Sequence, residues 1–157
     1  MLKYFLCTLL LAGSASQAGA QLASKKSLTL AAAKQIAAAA ETEAVNNKWN
    51  VVIAILDEGG QLLYLQRMDE TQIGSVDVAI AKGQSAVKFK RPTKAFEDAL
   101  VGGRQAILSL PGAIPVEGGL PLLVDGRIIG AIGVSGVQSN QDGIIAKAGA
   151  DAAAKMK

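Results

Sequence analysis

The stretch from Pro115 to Gly136, PVEGGLPLLVDGRIIGAIGVSG, places two apolar runs of strand type among six glycines. Glycine weakens a strand, and so high a density of it usually marks a loop. Asp125-Gly126 separates the two runs, and this dipeptide is preferred in a type I′ turn, where both central residues take positive φ. The stretch therefore predicts a β-hairpin that pairs Leu120 to Val124 with Arg127 to Val134.

The other glycines of this stretch allow two interpretations each. Gly130, Gly133 and Gly136, in and just after the second strand, leave room for close packing, with approach of a ligand as the alternative. Gly118-Gly119 leads into the first strand. It forms either a bend or bulge, which is the simpler interpretation, or a nest of consecutive amides that points at an anion.

A second hairpin precedes this one in the chain. Val51 to Leu56 is an unbroken apolar run, which is typical of a strand covered on both faces. The turn residues Asp57 to Gly60 then return the chain into a second strand, Gln61 to Arg67. Because two hairpins exclude an all-parallel sheet, the chain predicts an α+β fold.

Helical spacing accounts for most of the remaining sequence. Apolar or Ala-rich stripes and capping residues predict helices that begin at four places, namely after Thr29, at Ser75, at Thr93 and at Ser139. Ala106 to Leu110 predicts one more short strand. The expected architecture is an antiparallel sheet of about five strands flanked by helices.

Residues 1 to 20 carry the pattern of a secretory signal peptide. Lys3 is a short positive segment, Tyr4 to Ala12 is an apolar segment, and Ala18-Gly19-Ala20 is a small-residue cleavage pattern before Gln21. The apolar segment is shorter than the roughly 20 residues of a spanning helix. The sequence thus predicts a signal peptide over 1–20 and a single domain over 21–157. That domain is expected in the periplasm or secreted, without membrane attachment after cleavage.

The 157-residue chain contains no His, and its single Cys, Cys7, lies in the predicted signal peptide. Ser-His-Asp and Cys-His catalysis are therefore excluded from the mature chain, as are zinc sites built on His or Cys. No metal site and no catalytic residue are predicted. The formal net charge is only +3 and the few aromatic residues are scattered, so nucleic acid is not an expected partner.

Several cationic side chains are candidates for binding. Lys82 falls on the apolar side of the second helix, where it either extends its ammonium to solvent or reaches a carboxylate in a pocket. Arg67 ends a strand beside Asp69 and Glu70, and a solvated strand end is the simplest interpretation. A basic cluster lies near the end of the second helix and comprises Lys88, Lys90, Arg91 and Lys94. A solvated surface is the simplest interpretation of this cluster too.

The motifs WNVVIAILDEGGQLLYLQRMDE, GSVDVAIAKGQSA and PVEGGLPLLVDGRIIGAIGVSG, followed by SNQDGIIAKAGADA, closely resemble the GlcG/HbpS-like family of haem-binding and haem-degrading proteins. The resemblance runs from about Leu28 to Ala154, and the same domain is found at the C-terminus of some corrinoid adenosyltransferases. It implies a profilin-like sheet with helices, assembly as homo-oligomers, and a small-molecule pocket near subunit contacts. The motif matches imply these ligand-binding residues: Arg67, Lys82, Gly118, Gly119 and Ser135.

The resemblance implies haem as the ligand, although the chain has no His to serve as the usual axial ligand. Met68, Tyr64 or a Lys would have to replace it, or the iron would have no protein ligand. Apolar contact would then hold the macrocycle, with Arg67 or Lys82 at a propionate. The expected function is an exported, oligomeric small-molecule-binding protein rather than an enzyme. The alternatives are an enzyme or enzyme accessory acting on a small organic acid or corrinoid, and an assembly module without a ligand.

Overall fold

The structure is a computed structural model that describes residues 20 to 156. The predicted signal peptide lies, apart from Ala20, outside these residues. The element bounds, in chain order, are α1 Leu30–Asn46, β1 Val52–Asp57, β2 Leu62–Arg67, α2 Ser75–Phe89, α3 Lys94–Val101, a 3₁₀ helix Gln105–Ser109, β3 Gly119–Val124, β4 Arg127–Ser135 and α4 Ser139–Ala154.

The strands form one antiparallel sheet in the order β2-β1-β4-β3, with helices packed on both faces. This confirms the predicted α+β class. Ile53 and Ile55 of β1 belong to the main core with α1 and α4, whereas Val52, Ala54 and Leu56 pack with α2 on the other face. Because successive side chains of a strand point to opposite faces, covering both faces requires the unbroken apolar run seen in the sequence.

The glycines of β4 serve close packing. A Cβ on Gly133 would overlap the carbonyl oxygen of Ala79 on α2, and one on Gly130 would overlap the carbonyl oxygen of Leu56 on β1. The predicted type I′ turn is also present, with φ of 50° at Asp125 and 72° at Gly126. The glycine-rich strand β4 can therefore lie inside the sheet, between β1 and β3, because the neighbouring backbones need the space that side chains would fill.

The sheet has four strands rather than about five, because the predicted strand Ala106 to Leu110 is a 3₁₀ helix, Gln105–Ser109. Within that segment Ile107 is buried while Leu108 and Leu110 are exposed. A strand on a sheet buries every second side chain, whereas this segment buries only Ile107. It therefore has no apolar face with which to join the sheet.

Two predicted caps also differ. The N-cap of α4 is Gln138 rather than Ser139, and it forms a capping box with Gln141. Ser75 is the first residue of α2, and its hydroxyl accepts a hydrogen bond from the Gln72 side-chain amide at 3.1 Å instead of capping the helix. Among residues 20 to 156, the helices are too short or too polar to cross a membrane.

Candidate functional site

A cleft of about 520 Å³ follows the free edge of β3, between α4 and the segment that joins α2 to α3. Its walls are mostly apolar, with lysines and two carboxylates among the lining residues. The apolar side chains are Leu120, Pro121, Leu123, Ile128 and Ala150, and the charged ones are Lys90, Lys94, Lys147, Glu117 and Asp151.

The cleft exists because β3 is an edge strand of irregular sequence. Pro121 lacks an N–H, which a strand tolerates only where no neighbour needs that donor. The register between β3 and β4 shifts at Leu122 and Leu123, and Leu123 is 43% exposed while Leu122 is fully buried. Because successive side chains of a strand point to opposite faces, Leu122 packs in the core while Leu123 lines the cleft wall.

Gly118 and Gly119 form the inner wall of the cleft. Gly118 has a φ of 124°, and a Cβ there would lie 2.9 Å from Lys82 Nζ, while Gly119 packs against the Lys82 backbone. The Gly119 N–H donates to Thr93 Oγ1 at 2.9 Å, and the Thr93 N–H donates to the Gly119 carbonyl at 3.0 Å. Because the Gly119 amide is already bonded, the loop matches a packed bend rather than an anion-binding nest.

A buried ion pair lies directly behind this wall. Lys82 Nζ donates to Asp142 Oδ2 at 2.8 Å and to the Val134 carbonyl at 3.0 Å, and the two charged side chains are 1% and 2% exposed. Burial raises the pKa of Asp142, and the hydrogen bond from Lys82 opposes that rise. Of the two interpretations of Lys82, the structure shows the one in which it reaches a carboxylate, and the pair joins α2 to α4.

A second polar cluster lies at the mouth of the cleft. The Glu117 amide donates to the Glu97 carboxylate, and Lys94 Nζ lies 3.8 Å from Glu117 Oε2 and 2.8 Å from Asp98 Oδ1. Burial raises the pKa of Glu117, while the charge of Lys94 opposes the rise.

The structure brings together three of the five predicted binding residues, Lys82, Gly118 and Gly119. Ser135 lies at the end of β4, where its hydroxyl donates to Ser75 Oγ at 3.2 Å. Arg67 lies at the end of β2, on the opposite edge of the sheet from β3, roughly 14 Å away at about 4.8 Å per strand. The ligand roles of all five remain predictions.

The surroundings of Arg67 form a separate groove. It is lined by Met68 and by three acidic side chains, Glu41, Asp69 and Glu70, besides Arg67 itself. Met68 packs on the main core, and the Tyr64 hydroxyl bonds to Gln66 Oε1 at 3.3 Å. These two candidate iron ligands therefore lie away from the β3 cleft.

Sequence reasoning did not identify Asp142, Glu97 or Glu117 as site residues. Asp142 looked like an ordinary first-turn residue of α4, because its partner Lys82 is 60 positions away in the chain. Glu117 and Glu97 meet across a separation of 20 residues. One signal for Asp142 was available in the sequence, namely the position of Lys82 on the apolar side of its helix. An ammonium that cannot reach water there requires a buried carboxylate as its partner.

The cleft meets part of what haem requires. Its apolar walls match a macrocycle and its lysines match carboxylates, while its own possible iron donors are limited to lysine amines and the carboxylates of Glu117 and Asp151. Within residues 20 to 156, no group of three or more His, Cys, Asp or Glu side chains is placed to hold a metal ion. The cleft thus fits the organic body and charge of haem, and offers no imidazole or sulfur ligand.

The sequence is similar to a known protein family and to a protein of Escherichia coli. The family described as haem degrading protein HbpS-like matches residues 28–151. Protein GlcG of Escherichia coli K12 is 43% identical over 103 residues, which cover 66% of this chain and 77% of that protein.

Two solved structures extend the comparison to the fold. The Klebsiella pneumoniae protein ORFY superimposes with a TM-score of 0.79 at 33% identity, covering 88% of this chain and 99% of that one. A PduOC:heme complex superimposes with a TM-score of 0.73 at 29% identity, covering 81% and 95%.

Proposed function

The chain belongs to the HbpS-like family, and from that premise we propose that it is a small-molecule-binding protein that holds haem or a haem-like amphiphile in the β3 cleft. The observation that carries the proposal is the combination of apolar walls and lysines in one cleft of about 520 Å³. A structural relative solved as a haem complex supports haem as the ligand. Export with cleavage before Gln21 and self-association are parts of the same proposal.

Binding in this cleft relies on burial of apolar surface. Leu120, Leu123 and Ile128 cover a flat apolar body, which gains about 25 cal/mol for each Å² removed from water. The lysines remain near solvent and meet the ligand's carboxylates. Haem would supply the iron chemistry, and the chain would supply cover, orientation and charge.

Titration with hemin, followed at the Soret band, tests the location of the site. Leu123→Glu places a carboxylate in the apolar wall and should weaken binding about tenfold or more, because a charge would be buried against the ligand. Leu62→Glu is the matched control, since Leu62 on β2 is 47% exposed and Leu123 on β3 is 43% exposed. Equal affinity of the two variants would overturn the cleft as the site.

The spectrum of the complex provides a second readout. With no imidazole or sulfur donor in the cleft, the bound hemin should lack the low-spin pattern of an iron with two imidazole ligands. Arg67→Ala should leave affinity unchanged if the ligand lies at β3. A sharp low-spin spectrum together with weakened binding by Arg67→Ala would place the ligand in the groove beside Met68 and refute the proposal.

A further inference from the structure

The three lysines that line the β3 cleft differ in their ion pairs. Lys94 Nζ lies 2.8 Å from Asp98 Oδ1, and Lys147 Nζ lies 2.5 Å from Asp151 Oδ2. For Lys90, no carboxylate of residues 20 to 156 comes within 4.0 Å of the ammonium. Among the three cleft lysines, Lys90 is therefore the one that has no ion pair with a carboxylate of residues 20 to 156, so its ammonium can pair with a ligand.

The backbone of Lys90 is held in place at the mouth of the cleft. Lys90 is the C-cap of α2 in the left-handed conformation, with φ of 54° and ψ of 39°. Its N–H donates to the Val87 carbonyl at 3.3 Å, and the next N–H, of Arg91, donates to the Ala86 carbonyl at 3.2 Å. Arg91 also stacks over the Phe96 ring at 5.5 Å, which ties this end of α2 to α3.

A lysine in this conformation is unusual. Helices that end with a left-handed residue most often place glycine there, because glycine has no Cβ to strain the backbone. A long cationic side chain at such a position is projected from a fixed Cα, and strained residues of this kind concentrate at ligand sites. Left-handed backbone is also found at Lys48, Glu70 and Asp125, but among the lysines that line the cleft only Lys90 combines it with an ammonium that has no carboxylate partner in residues 20 to 156.

We propose that Lys90 binds the carboxylate of the ligand, so that the β3 cleft selects amphiphilic carboxylates over uncharged molecules of the same shape. This inference rests on the proposed function of the cleft. Three lysines and two carboxylates line the cleft, which leaves a single positive charge. One of the ligand's carboxylates matches that charge.

The test uses a fluorescent pair of probes, pyrenebutyric acid and its methyl ester, which share an aromatic body and differ in one charge. Lys90→Met removes the ammonium and keeps the length of the side chain, so affinity for the acid should fall about tenfold while affinity for the ester stays the same. Lys90→Arg should restore affinity to within about threefold. Lys88→Met is the control, since Lys88 is exposed in the last turn of the same helix and does not line the cleft.

The outcomes separate the two proposals. If wild type binds acid and ester equally, or if Lys90→Met binds the acid as wild type does, the cleft stands and the assignment of Lys90 is overturned. If Leu123→Glu leaves binding of both probes unchanged, or neither probe binds wild type, the proposed cleft fails and the Lys90 inference fails with it. Thermal melts of each variant show that a lost affinity is not lost folding.

Discussion

Lys82 and Asp142 place opposite charges where almost no water reaches them. Removing a charge from water is unfavourable, and three hydrogen bonds offset this desolvation. Lys82 donates two of them, and the Val137 N–H donates the third to Asp142 at 3.3 Å. Such a pair stabilises the fold no more than well-packed apolar residues at the same two positions would. Loss of one member, however, leaves the other as an unpaired buried charge. The pair therefore acts mainly by fixing how α2, β4 and α4 meet behind Gly118.

Lys82→Met should lower the free energy of unfolding by about 3–5 kcal/mol, because Asp142 would remain buried without its partner. The double variant Lys82→Met/Asp142→Asn should recover most of that loss, since neither residue then carries a charge. Urea denaturation measures all three free energies. Lys147→Met is the control from an exposed pair and should cost less than about 1 kcal/mol. A loss for Lys82→Met as small as that of the control would show that the pair does not matter for stability.

Glu117 should make stability depend on pH. Its folded pKa lies above the ordinary 4.5 because of burial, so the fold favours the protonated form. The stability that this preference contributes is present below pH 4.5 and is lost as the pH rises through the folded pKa. Glu117→Gln mimics the protonated form. It should therefore raise the melting temperature at neutral pH and have no such effect below pH 4.5.

The control for this titration is Glu58→Gln, which changes an exposed carboxylate in the turn after β1. It should leave the melting temperature unchanged at both pH values. A Glu117→Gln variant that is less stable than wild type at neutral pH would mean that the interaction with Lys94 outweighs the burial of the carboxyl group.

At the scale of secondary-structure elements, β4 and α2 approach so closely that their backbones are nearly in contact. A Cβ on Gly133 would overlap the Ala79 carbonyl oxygen and lie 2.6 Å from the Gly83 nitrogen. These are backbone atoms and cannot rotate away as a side chain would. Two glycines facing one another, Gly133 and Gly83, thus set the distance between the sheet and this helix.

Gly133→Val should destabilise the protein by roughly 1–3 kcal/mol or more, because α2 must move outward to admit the side chain. The matched control is Gly74→Ala, at the start of the same helix, where a Cβ would meet nothing within 4 Å. Chemical denaturation of both variants gives the comparison. Similar midpoints for the two would mean that close packing is not the reason for glycine in β4.

Elements with a local signature were predictable from the sequence. The Asp125-Gly126 turn, the two hairpins and the four helices each follow from spacing or turn residues within a few positions. The predicted strand Ala106 to Leu110 is wrong, because Leu108 and Leu110 are exposed although composition alone implied that they were buried. The site was predictable only as far as Lys82 and the glycine pair, since Asp142 and Glu117 acquire their roles from contacts between segments that are far apart in the chain.

At the scale of the whole molecule, Leu28, just before α1, completes the cover of the sheet. Leu28 is buried in the main core, and a Cβ on Gly130 would collide with its side chain. Lys26 Nζ lies 2.7 Å from Asp125 Oδ2 in the β3–β4 turn, an exposed pair that contributes little by itself. Leu28 is thus part of the fold, and Gly130 in β4 provides the room for its side chain.

Two shortened chains test this role. One begins at Gln21, as the proposed export would leave it, and the other begins at Thr29 and so lacks Leu28 while keeping the N-cap of α1. Loss of the Leu28 side chain should cost about 1.5–3 kcal/mol, which for a domain of this size lowers the melting temperature by roughly 5–10 °C. Lys26→Ala in the longer chain isolates the ion pair and should change the melting temperature by less than about 2 °C. Equal melting temperatures of the two chains would show that Leu28 does not complete the core, and a large effect of Lys26→Ala would shift the explanation to the ion pair.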